Sequence, residues 1–348
     1  MRSRNVELDD HIIGGWGRVF EPPARRRFWG LEDSTPATRA AHLAAALLLA
    51  SLFVTTQLAA AEPPITAAAF APDGKSIVVG SQSGLRVYAW PELTHQQTRL
   101  ISLAHVHDLA FSHDGKTLAA VGGRPAEVGN FELFDWPDAK LVDRQSISED
   151  LLYRVAWQRD GEMLAVAGPD HKITLLDRAA NIVAQLEGHS QDVIAVAFLP
   201  DGHFISGSRD NTIRVWQQPG HKLIRTLNNH TNEIHDIAVR PSSAEPPFVL
   251  ASSSADRTVR FWWPVAGRLM RFAKLPSPAL DIEWTSDGTR LVAACADGHL
   301  RVIDPESVEI THDVEVGSAW LHTLAVAPDG ASAFVGGTGG LMKAVKIR

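Results

Sequence analysis

A single cysteine, Cys295, stands among 348 residues. No intramolecular disulfide framework can form, and neither a cysteine-based zinc site nor the two-cysteine attachment of a c-type haem is available. Basic residues are outnumbered, 33 Lys and Arg against 40 Asp and Glu, for a net charge of −7. Generic nucleic-acid binding works by neutralising phosphates with Lys and Arg, so this balance argues against it. Several catalytic signatures are missing. There is no P-loop, no HExxH, no Gly-x-Ser-x-Gly elbow and no Gly-x-Gly-x-x-Gly after a strand. Disorder is excluded as the dominant state, because 45% hydrophobic and 21% charged residues supply a real core.

The first sixty-odd residues differ from the rest. Residues 1–40 are polar and include Arg25-Arg26-Arg27, whereas residues 41–61 carry no formal charge. The strongly apolar centre, Leu43 to Val54, is shorter than the roughly 20 residues of a membrane span and fits the apolar region of an export signal. Ala59-x-Ala61 places small residues where a signal peptidase cuts. The expectation is an N-terminal segment, 1–61, holding a signal peptide or an uncleaved anchor, followed by a body at 62–348 that is exported to a periplasm or the exterior. A solitary cysteine suits an oxidising compartment, where it has no partner with which to mispair.

The body is built from a repeat. Asp-Gly turns recur at Pro72-Asp73-Gly74, His113-Asp114-Gly115, Arg159-Asp160-Gly161, Pro200-Asp201-Gly202, Ser286-Asp287-Gly288 and Pro328-Asp329-Gly330. Pro241-Ser242-Ser243 fills the one gap, and successive markers lie 41 to 46 residues apart. Asp-Gly favours tight hairpins because Gly accepts positive φ without steric cost. A short apolar strand precedes each marker, such as Ala195-Val196-Ala197-Phe198, and two or three further strands follow it. Apolar residues recur at every second position, which is strand periodicity. Units of about 40–45 residues with four strands each describe propeller blades, and one blade cannot bury its faces without neighbours. The expected fold is all-β, a seven-bladed β-propeller preceded by a non-propeller N-terminal segment.

Two units carry a more specific pattern. Gly188-His189 opens one that runs through Leu199-Pro200-Asp201-Gly202 to Ser206-Gly207-Ser208-Arg209-Asp210-Asn211-Thr212-Ile213-Arg214-Val215-Trp216, and the next has His230 and then Ser252-Ser253-Ser254-Ala255-Asp256 through Trp262. These resemble WD repeats of the β-transducin-like propellers. The resemblance covers about residues 65–348. It is strong in units four and five and degenerate elsewhere, where Phe134-Asp135, Leu176-Asp177 and Ile303-Asp304 keep the Asp without the Trp. It implies two buried hydrogen-bond tetrads: His189, Ser206 or Ser208, Asp210 and Trp216; and His230, Ser252 or Ser254, Asp256 and Trp262. A buried carboxylate needs donors, and imidazole and hydroxyl supply them, so the role is structural and not catalytic.

The start of each inner strand is expected at the mouth of the central channel, the face on which WD-repeat proteins usually bind partners. Thr66, His107, Tyr153, Ile194, His235, Leu280 and His322 take one position there. Ala67, Asp108, Arg154, Ala195, Asp236, Asp281 and Thr323 take the next. The contact candidates are therefore His107, Asp108, Tyr153, Arg154, His235, Asp236, Asp281 and His322. The function expected is a non-enzymatic, monomeric scaffold that binds a protein or peptide, needs no cofactor or metal, and meets a membrane only through an uncleaved N-terminal segment. The rival is an exported propeller enzyme, lactonase-like or quinone-cofactor dehydrogenase-like, with Asp108, Asp236 and Asp281 gathered at the channel mouth. His105-Val106-His107 is expected to be coincidental and not a metal site. Trp157, Trp216, Trp262, Trp263 and Trp284 are expected to pack between blades. One conflict stands. In WD-repeat rings an N-terminal strand normally completes the last blade; here residues 52–58 have the register and composition for it, yet they also end the expected signal.

Overall fold

The computed structural model describes residues 62–99, 101–241 and 246–348. The expected 1–61 segment, including 52–58, lies outside them. Seven antiparallel sheets follow one another along the chain. Six have four strands, and the last, Leu321–Val326, Ser332–Gly337 and Met342–Lys346, has three among the described residues. Only one short 3-10 turn, Thr338–Gly340, interrupts the strands of the described residues.

Each blade buries both faces against its neighbours, which is why its second and third strands are almost continuously apolar. Leu291–Cys295 and Phe204–Ser208 are buried at every position. Outer strands meet solvent on one side and are correspondingly polar, as in His95–Arg99 and Ile310–Glu315. The core is accordingly a series of seams between adjacent blades. One unites Ile65, Ile77, Val79 and Tyr88 of blade one with Ala325 and Phe334 of blade seven, so first and last blades are packed together. At this seam Gly336 makes room for Ile65: a Cβ there would lie 2.5 Å from an Ile65 methyl. Gly80 gives Val106 the same room one blade further on.

The inner strands share a second device. In six of the seven, the pairing skips one residue near the start of the strand. The skipped residues are Thr66, His107, Ile194, His235, Leu280 and His322. A bulge leaves its extra residue out of the ladder and re-aims its side chain. Here it turns those side chains toward the mouth, while the residue after each is held in the channel wall.

Candidate functional site

The mouth of the channel is a cavity of about 350 Å³. All six bulge residues line it, together with Tyr153, Arg154, Arg209, Glu233, Asp281 and Trp320. Tyr153 precedes the inner strand of blade three, and its N–H bonds the Ala167 carbonyl at 3.0 Å. Its ring meets the His107 ring edge-on at 6.0 Å and carries the Arg209 guanidinium over its face at 5.4 Å. Arg209 is held in place by Asp192, at 2.9 Å, and by Glu233, at 3.6 Å. His235 Nδ1 donates to the Ala279 carbonyl at 3.0 Å, and His322 bonds Thr338 at 3.0 Å. Burial, with smaller contributions from His105 and His322, lowers the His107 pKa to about 4. Burial also lowers that of His322. The histidine part of the wall is therefore uncharged near neutral pH at these two positions.

Trp320 was not singled out from the sequence, because it lies in a connection before the inner strand of blade seven. It is 57% exposed and stands edge-on to His322 at 6.2 Å. Trp263, expected between blades, instead lies partly open with Arg268 over its ring at 5.2 Å. Trp216, Trp262 and Trp284 are buried, and Trp157 and Trp284 each stitch to the preceding blade by an indole N–H at 3.1 Å.

Four of the contact candidates lie deeper than the rim. Asp108, Asp236 and Asp281 are buried, and Arg154 reaches all three. Its Nη1 lies 3.5 Å from Asp108, and its Nη2 contacts Asp236 and lies 3.2 Å from Asp281. The second oxygen of each carboxylate accepts a backbone N–H from the following blade: Val155 at 2.9 Å, Ile282 at 3.0 Å and Leu324 at 2.8 Å. These aspartates thus sew blade to blade and together clasp a guanidinium. The carboxylates that the enzyme reading gathers at the mouth do converge, but this chain's own Arg154 sits among them, where a bound cation would have to sit.

The two His–Asp–Ser sets are also defined. Trp216 Nε1 donates to Ser206 Oγ at 2.9 Å, which leaves the hydroxyl proton for His189 Nε2 at 2.8 Å. His189 Nδ1 then donates to Asp210 at 2.8 Å. Trp262, Ser252, His230 and Asp256 repeat the chain at 2.9, 2.8 and 2.8 Å. Ser208 and Ser254 instead accept the N–H of Asp210 and Asp256 at 3.0 and 3.1 Å. Burial outweighs the Asp256 partner and lowers the His230 pKa to about 4. For Asp256, burial pushes upward, but bonds from Thr258 and His230 win and hold it at about 2. In both sets the serine oxygen is fully enclosed and already serves an indole, an arrangement for packing and not for attack on a substrate.

Comparison with known proteins agrees with this geometry. The repeat family described as WD domain, G-beta repeat matches residues 180–217 and 221–262. The chain belongs to the WD-repeat propellers. A second family, the WD40 domain of anaphase-promoting complex subunit 4, matches residues 263–327 of the propeller. Among similar proteins, anaphase-promoting complex subunit cdc20 of Dictyostelium discoideum is 30% identical over 73% of this chain and 52% of its own length. Eukaryotic translation initiation factor 3 subunit I of Neurospora crassa is 31% identical over 37% of each chain. GID complex subunit 7 of Schizosaccharomyces pombe is 25% identical over 55% of this propeller's chain and 38% of its own. The matches therefore span about half or less of these relatives.

Proposed function

We propose that the propeller is a non-enzymatic interaction scaffold whose channel mouth takes a segment of a partner protein or peptide. The observation that carries this is the bulge pattern, which spends six inner-strand positions on aiming side chains at one cavity beside an exposed tryptophan. Arg154 and Asp281, 3.2 Å apart, line both this cavity and the one beneath it, so a side chain inserted at the mouth would meet their ion pair. The rigid ring supplies position, and the connections at the mouth supply specificity. Two of the relatives bear names of complex subunits, in keeping with a partner protein.

The test is a peptide selection on the intact propeller. Peptides that bind should lose at least tenfold in affinity to Trp320→Ala and His107→Ala, and keep it with Trp263→Ala on the outer part of blade five. Undiminished binding to both mouth variants would remove the assignment.

Export belongs to the same proposal. Residues 1–61 are read as its signal, cleaved after Ala61, so the mature chain is expected to begin at Glu62. N-terminal sequencing of the purified protein decides this. A start upstream of residue 52 would instead contradict cleavage after Ala61 and favour an uncleaved N-terminal segment.

A further inference from the structure

Below the mouth, three buried carboxylates face one guanidinium. Asp108, Asp236 and Asp281 come from blades two, five and six, and Arg154 of blade three opposes all of them. The other inner strands bring no charge to the channel: blade one offers Ala68, Ala69 and Phe70, blade four Val196, and blade seven Leu324 to Val326. On the far side Glu283 adds a fourth carboxylate, accepting the Val326 N–H at 2.7 Å. On the mouth side stand His107, His235 and His322, with Arg209 already engaged by Asp192 and Glu233. Like charges taken out of water together cannot all stay ionised. Asp236 and Asp281 contact the same Arg154 nitrogen, so two buried carboxyls converge on one N–H group, the setting in which one is a carboxylic acid beside a carboxylate.

We propose that this cluster is a proton-holding latch. Asp236 and Asp281 share one proton, which lets Arg154 tie blades two, three, five and six together across the channel. When that proton leaves at alkaline pH, the ring loosens.

The electrostatics run in the same direction. Burial, reinforced by Asp281 and only partly opposed by Arg154, holds the Asp236 carboxyl well above its ordinary 3.8. Burial likewise pushes Asp108 to about 6 and Glu283 to about 8. The unfolded chain gives up these protons near 3.8 to 4.5. Above that range the folded state holds protons the unfolded state has lost, so stability falls as the pH rises until the folded groups titrate too. The buried histidines act in the opposite sense around and below their ordinary value of 6.5, an effect that fades above it. Because these groups are common to the wild type and an Asp236 variant, the difference between the two across pH 6.5 to 7.5 isolates Asp236.

Denaturant unfolding of the full chain across that window tests the latch. Each proton held by the folded state raises the unfolding constant about tenfold per pH unit. The unfolding constant of the wild type should rise up to about tenfold more steeply per pH unit than that of Asp236→Asn, which keeps a donor for Asp281. Equal slopes would overturn the proposal. A second measurement does not depend on the variant folding: the infrared spectrum of the wild type with 13C-labelled aspartate at pH 7. The carboxylic-acid stretch should contain a component shifted by the label, distinct from that of Glu283. No label-sensitive component, or one that survives in folded Asp236→Asn, would overturn the assignment.

Discussion

Arg154 of blade three and Asp281 of blade six meet across the axis of the ring, with Nη2 and Oδ1 3.2 Å apart. They lie 127 residues apart in sequence, and their ion pair lies where the mouth cavity meets the one beneath it. The same aspartate binds the Leu324 N–H of blade seven, so one carboxylate joins three blades.

Removing the guanidinium should therefore be costly. Arg154→Met leaves buried carboxylates without their counter-charge, and losing one partner of a buried ion cluster costs about 3–5 kcal/mol. Arg154→Lys keeps the charge but not the fork, and should recover only part of it. Urea unfolding at pH 7 measures both. An Arg154→Met variant as stable as the wild type would show that the cluster does not hold the ring.

The tetrad of blade five carries its own pH signature. The Asp256 carboxyl lies below its ordinary 3.8, at about 2, so its contribution is present above 3.8 and lost as the pH falls through about 2. Asp256→Asn should cost about 1.5–3 kcal/mol at pH 7, the worth of bonds to a charged group. The gap to the wild type should narrow below pH 3.8. Buried neutral His230, with His107, contributes a loss of stability from pH 6.5 down through about 4, opposed over the same range by the protonated carboxyls of the channel cluster. Denaturant unfolding from pH 7 to 3 reads both effects.

The seam between first and last blades has no slack at Gly336. Gly336→Ala should cost about 1–3 kcal/mol, the range for overpacking a core. The second substitution Ile65→Ala should relieve the closest contact but not those with Thr323 Cγ2 at 2.7 Å and the residue 65 Cβ at 2.9 Å, so the double variant should fall only partly short of the sum of the two single losses. A thermodynamic cycle measured by thermal unfolding checks this. Strict additivity would place the strain elsewhere.

Trp320 should separate stability from binding. At 57% exposure it contributes little to packing, and Trp320→Ala should change stability by no more than about 0.5 kcal/mol. Its effect should appear in affinity for mouth-binding peptides, measured by titration calorimetry beside a thermal melt.

The repeat was legible because it is written in local chemistry. Asp-Gly turns, alternating strands and the His–Asp–Trp spacing of units four and five all act within about 45 residues, and they suffice for blade count and order. The mouth positions followed from register alone, since His107, His235 and His322 occupy equivalent places. What register does not contain is depth. Asp108 and His107 are neighbours in sequence, yet the bulge between Val106 and Asp108 sends one into the wall and the other to the mouth. The choice of Ser206 over Ser208 depends likewise on which hydroxyl the Trp216 indole reaches. The convergence of Asp108, Asp236 and Asp281 followed from register too, but the reach of Arg154 across the ring to all three did not, because it joins four different units. Trp320 was missed because it belongs to no strand pattern.

Amide hydrogen exchange of the propeller, with and without a saturating selected peptide, tests the mouth assignment most directly. Protection should concentrate at the mouth ends of the inner strands, around residues 193–195, 234–236, 279–281 and 320–323, and leave the Asp-Gly turns of the opposite face unchanged. Protection confined to those turns or to the outer strands would contradict it.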